Sequence, residues 1–363
     1  MSSTLSEGTI VGFGDPLLDI TANVDVSLLE KFKLGQNDSV PAGPEHAGLS
    51  EQLCRKYAPR YTAGGSTQNT LRVLQWILRQ PRISTMIGAI GFDQFGRYLE
   101  QNARECGVDI RYHYDNQHQT GTCCVLVTKR GMNRSLVTTK GAAAHYSEQH
   151  LHRVWDSVER AKFFYVTSYF LCGNLETVLK VAHHSRRKGK VMCLNLSAPF
   201  LMDLHREKIT AILPYVDIIF GNESELDAFL KSHSKQMSRR EGSKFLSTFL
   251  APVPRVVVIT CGNEPVIVAN GGNLTEYPIS KIDPDSVVDT NGAGDAFVGG
   301  FLAFLIKGCS IDVCVKNGCL AALAIIQELG CTTPERSKVR FYSDRTMVEP
   351  RIPCITFRQI SIS

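Results

Sequence analysis

The sequence predicts an α/β fold: a doubly wound, mostly parallel sheet with helices on both faces, plus a small β-rich lid. Short β-type runs alternate with helical patterns along most of the 363 residues. Those runs are apolar throughout, as strands covered by helices on both sides must be. Two stretches break the rhythm, and these predict the lid.

Taken in order, Thr9 to Gly14 is an apolar strand ending in glycine, and Gln68 to Leu78 is an amphipathic helix that stops before Pro81. Ile83 to Ile90 reads as a strand and Phe95 to Cys106 as a helix closed by Gly107. Farther on, Phe163 to Val166, Val191 to Leu196, Ile218 to Phe220 and Arg255 to Thr260 are short strands. Helical patterns separate them at Glu176 to Arg187, Ser224 to Leu230 and Gly242 to Phe249. A long apolar stretch, Ala296 to Ile306, ends at Lys307-Gly308 and reads as a further helix. In the lid, Gly121 to Val127 and Arg134 to Thr139 alternate like hairpin strands around Lys129-Arg130-Gly131-Met132-Asn133. Residues 20–61 lack the strand–helix pattern and carry Pro41, Gly43 and Pro44. The expected division is therefore 1–19, 62–117 and 142–337 for the large domain, with 20–61 and 118–141 for the lid. Residues 338–363 form a C-terminal extension to which the sequence assigns no role.

A chain of this length can bury a large core, and its net charge of +5 is modest. Basic clusters such as Arg186-Arg187-Lys188-Gly189-Lys190 have no aromatic interleaving, so they suit solvated helix ends better than nucleic acid. No segment reaches the ~18 apolar residues of a membrane span. The N-terminal MSSTLSEGT lacks the basic and apolar parts of a secretion signal. Twelve cysteines form no Cys-x-x-Cys pair, and several sit in apolar runs, so reduced thiols in the cytoplasm are expected, with the nucleus not excluded.

Chemistry concentrates in Asp289-Thr290-Asn291-Gly292-Ala293-Gly294-Asp295-Ala296-Phe297. Glycines before a helix let the backbone close on an anion, and the helix N-terminus offers unpaired N–H groups and a positive dipole end. Asp295 places a carboxylate beside that anion site, where it can take a proton from an attacking hydroxyl. The reading is phosphoryl transfer to an alcohol. The alternative is a structural turn, since aspartate is favoured in a first helical turn for its complementarity to the dipole.

Ala63-Gly64-Gly65-Ser66-Thr67-Gln68-Asn69 precedes this segment, and Gly14 to Asp19, Thr120-Gly121-Thr122, Asn133-Arg134-Ser135-Leu136, Asn195 to Phe200 and Gly221 to Glu225 accompany it in order. Together, from about Ile10 to Pro334, these segments resemble the ribokinase-like family of sugar and nucleoside kinases. The resemblance implies a ribokinase-like sheet with a lid, ATP as phosphate donor, Mg²⁺, and a nucleoside acceptor, adenosine in the first place, phosphorylated at its ribose 5′-hydroxyl in purine salvage. It implies a monomer with small-molecule partners and neither nucleic acid nor membrane.

Residue by residue, the resemblance makes Asp295 the general base and gives the amides of Gly292, Ala293 and Gly294 to the transferring phosphoryl group. The helix terminus is expected to depress the Asp295 pKa. Arg134 resembles a mobile lid arginine that reaches the γ-phosphate; locally it reads as an exposed hairpin residue. Asn222 and Glu225 resemble an element that organises Mg²⁺ through water, and equally fit a helix capping box. Asp19 is expected to hold the ribose 2′- and 3′-hydroxyls, with Gly64, Gly65, Ser66 and Asn69 around the sugar. Gly64-Gly65 also reads as a plain tight turn. Leu136, Thr138, Phe170 and Phe200 are assigned to the base, the two phenylalanines as flanking faces, or else as core. Thr260, Gly262 and Asn291 are assigned to ATP. No Gly-x-x-x-x-Gly-Lys-Ser/Thr is present, which argues against a P-loop enzyme.

Three positions depart from the family pattern: Asp15 stands where its nucleoside kinases usually carry Asn, Thr138 and Lys140 replace small or apolar lid residues, and Cys319 replaces a histidine of some relatives. The first two bear on the nucleoside pocket. The rival readings are a kinase for another nucleoside or a free sugar, and a nucleoside-binding protein that has lost catalysis.

Overall fold

The structure is a computed structural model that describes residues 5–36, 38–128, 133–280, 282–283, 286–334 and 340–342. Most of the C-terminal extension and residues 129–132 of the lid turn lie outside them. In chain order the described strands are β1 (Ile10–Phe13), β2 (Leu17–Asn23), β3 (Ser39–Pro41), β4 (Arg60–Gly64), β5 (Ser84–Gly91), β6 (Asp109–Asp115) and β7 (Thr120–Thr128). They continue as β8 (Asn133–Gly141), β9 (Phe163–Thr167), β10 (Val191–Asn195), β11 (Ile218–Asn222), β12 (Val256–Cys261), β13 (Glu264–Asn270) and β14 (Asn273–Tyr277).

Nine of these strands form one sheet in the order β14-β13-β12-β11-β10-β9-β1-β5-β6. The pairs from β12 to β6 are parallel, and β13 and β14 add an antiparallel edge. Successive side chains leave a strand on opposite faces. Val11, Phe13, Phe164, Val166, Met192 and Leu194 therefore enter one core, while Ile10, Tyr165, Val191, Cys193, Ile218 and Phe220 enter another. Helix Ala293–Leu305 lies in the second core, packed against the helices Ser66–Leu78 and Ile311–Ile325.

From β1 the chain builds toward β5 and β6 on one side and toward β9 to β14 on the other. Such a reversal opens a crevice beyond the carboxyl ends of the strands, the usual ligand position in a doubly wound sheet. Asp15, just past β1, and Thr167, the last residue of β9, both face a cavity there.

The second sheet, β3-β8-β7-β2-β4, covers that crevice. Alternation again sorts its side chains. Leu18, Ile20, Ala22, Cys124, Leu126 and Val137 pack into the lid's own core with helices Val26–Lys31 and Leu49–Lys56, whereas Leu17, Asp19, Cys123, Leu136, Thr138 and Lys140 turn to the cavity. The lid thus begins at Leu17 rather than residue 20 and includes β4, so Asp19 and Gly64 belong to the covering sheet and not to the large domain.

Candidate active site

The cavity between the two sheets measures about 510 Å³. Asp295 sits at its floor in the first turn of helix Ala293–Leu305. Ser66 Oγ donates to Asp295 Oδ1 at 2.6 Å and Asn69 Nδ2 to Oδ2 at 3.0 Å, which fixes the carboxylate from the neighbouring helix. Burial nevertheless pushes the Asp295 carboxyl up to about 6, and these two hydrogen bonds only moderate the rise. The expected depression by the helix terminus is therefore overturned: a dipole effect, typically 0.3–1 kcal/mol, is smaller than the loss of water around the charge.

Asp19 shares the cavity and is pushed further, to about 7, first by burial and then by repulsion from Asp295, with Arg72 opposing. Gly64 makes room for it. A Cβ at that position would collide with the Asp19 carboxylate, so Gly64 serves the aspartate and does not itself line the cavity. Gly65 does line it, with φ +91° and no space for a side chain against the Asp15 carbonyl.

The glycine loop faces the same space. Gly292 takes φ +80°, and its conformation turns the chain into the helix. The Ala293 amide donates to the Thr290 carbonyl at 3.2 Å, so it is not offered to the cavity. Among the described residues neither the Gly292 nor the Gly294 amide meets a carbonyl, and both residues line the cavity. Two amides at a helix N-terminus are thus left for an anion.

Arg134 is buried rather than exposed, and its Nε meets Asp289 Oδ1 at 2.9 Å while Nη2 donates to the Val288 carbonyl at 3.1 Å. Asp289 also accepts from the amides of Asn291 (2.6 Å) and Gly330 (2.8 Å). The lid arginine therefore holds the base of the glycine loop and lies outside the cavity lining. Asn222 and Glu225 line it and also form the capping box foreseen as the alternative: Glu225 N donates to Asn222 Oδ1 at 2.8 Å, and Asn222 N to Glu225 Oε2 at 3.0 Å. Burial raises the Glu225 carboxyl to about 7.

Leu136, Thr138, Thr260, Gly262 and Asn291 all line the cavity. Phe170 does not. It is fully buried against Phe13 (6.0 Å between centroids) and Tyr146 (5.3 Å), and Phe200 packs behind Tyr169 at 6.3 Å. The aromatic residues lining the cavity are Tyr169, one position before Phe170, and Phe220 and Phe297. Ser39, Cys123, Thr167, Asn195 and Ser197 line it too, the last two from a segment the resemblance marks without giving them a role.

Residues 39–338 match the pfkB family carbohydrate kinase pattern. The chain belongs to the pfkB family. It is 38% identical over 344 residues to adenosine kinase 2 of Arabidopsis thaliana, covering 92% of this chain and 98% of the relative, and 34% identical to the adenosine kinase of Saccharomyces cerevisiae, covering 90% and 96%. Among solved structures, Anopheles gambiae adenosine kinase in complex with P1,P4-di(adenosine-5) tetraphosphate superposes with TM-score 0.87 at 40% identity, over 92% of this chain and 100% of that one. Adenosine kinase from Schistosoma mansoni with 2-fluoroadenosine gives TM-score 0.87 at 31% identity, over 92% and 99%. In this pfkB-family chain the two-sheet architecture, the intervening cavity and the glycine loop coincide at one place.

Proposed function

We propose that the chain transfers the γ-phosphoryl group of ATP to the ribose 5′-hydroxyl of adenosine, giving AMP and ADP. The observation that carries the reading is Asp295, held by Ser66 and Asn69 at the head of a helix whose Gly292 and Gly294 amides share its cavity. A hydroxyl placed on Asp295 has an acceptor for its proton, and the amides lie where a migrating phosphoryl group carries its charge. With its carboxyl at about 6, Asp295 is mostly ionised at neutral pH yet a stronger base than an ordinary aspartate. Since phosphoryl transfer needs little activation of the nucleophile, its main task is to align the hydroxyl.

Asp19, across the cavity, can accept from the vicinal 2′- and 3′-hydroxyls, and a ribose bridging the two acids places its 5′ end at the glycine loop. Beyond the sugar, Leu17 and Tyr169 give a flat base apolar and aromatic surface, which favours a nucleoside over a free sugar. ATP would lie toward Thr260, Gly262 and Asn291. Mg²⁺ fits Asn222 and Glu225 through its own waters: the capping box occupies the amide oxygen, but the buried Glu225 carboxylate keeps lone pairs and gains from a nearby cation. When bound, the ion would supply charge neutralisation on the phosphates. Purine salvage by a cytoplasmic monomer is the setting this reading proposes. A panel of nucleosides and sugars incubated with Mg-ATP, followed by ADP release, tests it. Ribose turning over faster than every nucleoside would overturn the assignment.

A further inference from the structure

The end of the cavity away from the glycine loop holds a cation that the reaction does not use. On β8, Arg134 reaches the glycine loop through Asp289, and Lys140 lies six residues farther along the same strand, ~20 Å at strand rise. Asp19 lies between them, because Asp19 pairs with Cys123 and Cys123 with Thr138. Lys140 is thus one pleat repeat, ~7 Å, beyond the sugar carboxylate, on the side opposite the phosphoryl site. A nucleoside whose 5′ end meets Asp295 must send its base that way.

Lys140 Nζ is held at 2.7 Å from Asp15 Oδ2 and donates to the Tyr169 carbonyl at 2.7 Å. An ammonium has three N–H donors and no acceptor, so one donor remains after these two contacts. The Lys140 side chain is 33% exposed and lines the cavity, whereas Asp15 is 5% exposed beneath it. A donor fixed at this depth selects what faces it. The 6-oxo group and N7 of hypoxanthine or guanine are adjacent acceptors, whereas adenine presents N7 beside an amino group that only donates.

We propose that Lys140 reads the nucleobase edge and admits 6-oxopurine ribonucleosides, inosine and guanosine, as phosphate acceptors alongside adenosine, with Asp15 as the positioning residue that holds the ammonium. The proposal rests on the nucleoside phosphotransfer reading above. The reaction is unchanged: the 5′-hydroxyl loses its proton to Asp295 and gains the γ-phosphoryl group, with ADP as leaving group.

The test is steady-state kinetics with Mg-ATP and adenosine, inosine, guanosine or ribose, on the unaltered chain and on Lys140→Met, Lys140→Arg and Asp15→Asn. The unaltered chain turns over both 6-oxopurines. In Lys140→Met, which keeps the alkyl stem, the kcat/KM ratio of inosine to adenosine falls at least ~10-fold, the loss expected for one charged hydrogen bond. Lys140→Arg keeps a donor and retains more of that ratio than Met does. Asp15→Asn raises KM for inosine more than it lowers kcat, since it loosens the donor without touching the reacting atoms. Melting temperatures identify any variant that fails to fold, and the unaltered chain's acceptor panel then decides alone. Adenosine turnover without inosine or guanosine turnover overturns this proposal only, as does an unchanged ratio in folded Lys140→Met. Sugar turnover with no nucleoside turnover overturns the phosphotransfer reading instead.

Discussion

Replacing Asp295 by Asn separates the two things its carboxylate does. The amide is nearly isosteric: its oxygen can accept from Asn69 Nδ2, and its NH₂ can donate to Ser66 Oγ, a hydroxyl able to accept. The site's shape is therefore kept while the proton acceptor is removed, and turnover should fall by ~10²–10⁴. Stability should move the other way. The Asp295 carboxyl rises from 3.8 to about 6 on folding, so between those values the folded chain binds more protons than the unfolded one, and stability drops as pH rises. At about 1.4 kcal/mol per pKa unit the ionised group costs the fold ~3 kcal/mol above pH 6, and about half that once cavity water is allowed for. Asp295→Asn should therefore melt roughly 2–5 °C higher than the unaltered chain at pH 8. That difference should shrink toward pH 4. Paired ADP-release and thermal-melt measurements across this range decide it. Unchanged turnover would remove Asp295 from the mechanism, and a lower melting temperature at pH 8 would show that its charge holds the fold together.

The dependence of kcat/KM on pH should show an acid limb between pH 6 and 7, because Asp295 and Asp19, at about 6 and 7, must be ionised to accept hydroxyl protons; a limb near pH 4 would contradict their burial. Arg134→Ala leaves Asp289 buried without its cation and should cost ~3 kcal/mol in urea unfolding. Gly65→Ala meets both φ +91° and the Asp15 carbonyl, so it should lower stability and raise KM for the nucleoside, read by kinetics and thermal melts. Phe170→Ala should lower stability by ~3–5 kcal/mol, as a core truncation does, whereas Tyr169→Ala should act mainly on nucleoside KM.

The large sheet was legible because its strands are short apolar runs between helices with clear stops, and most predicted segments fall within a few residues of β1, β5 and β9 to β12. The edge formed by β13 and β14 escaped the strand–helix rhythm, although Gly271 and Gly272, both at positive φ, mark the turn of an antiparallel hairpin. Helix Ile311–Ile325 is buried on several sides, and its sequence carries little periodicity to read. At the site, the glycine loop and Asp295 were legible because backbone conformation and a first-turn acid are written locally. Tyr169 against Phe170 was not: on a short helix after β9, a single step decides which ring faces the cavity, and that depends on packing against Phe13 and Tyr146. The rise of the Asp295 carboxyl is hidden from the sequence for a related reason. A dipole is visible in a sequence, but the desolvating walls come from residues far apart in it.

The contact between Arg134 and Asp289 ties the position of one sheet to the geometry of the other. If the lid swings away, the acid that braces the glycine loop keeps its two amide donors but loses its counter-charge. A half-assembled enzyme would then meet ATP with a slack loop and an open roof, and water arriving first would find no organised partner for the terminal phosphate. Thrift with ATP would thus be built into the hinge between the sheets, independent of how well the acceptor is chosen.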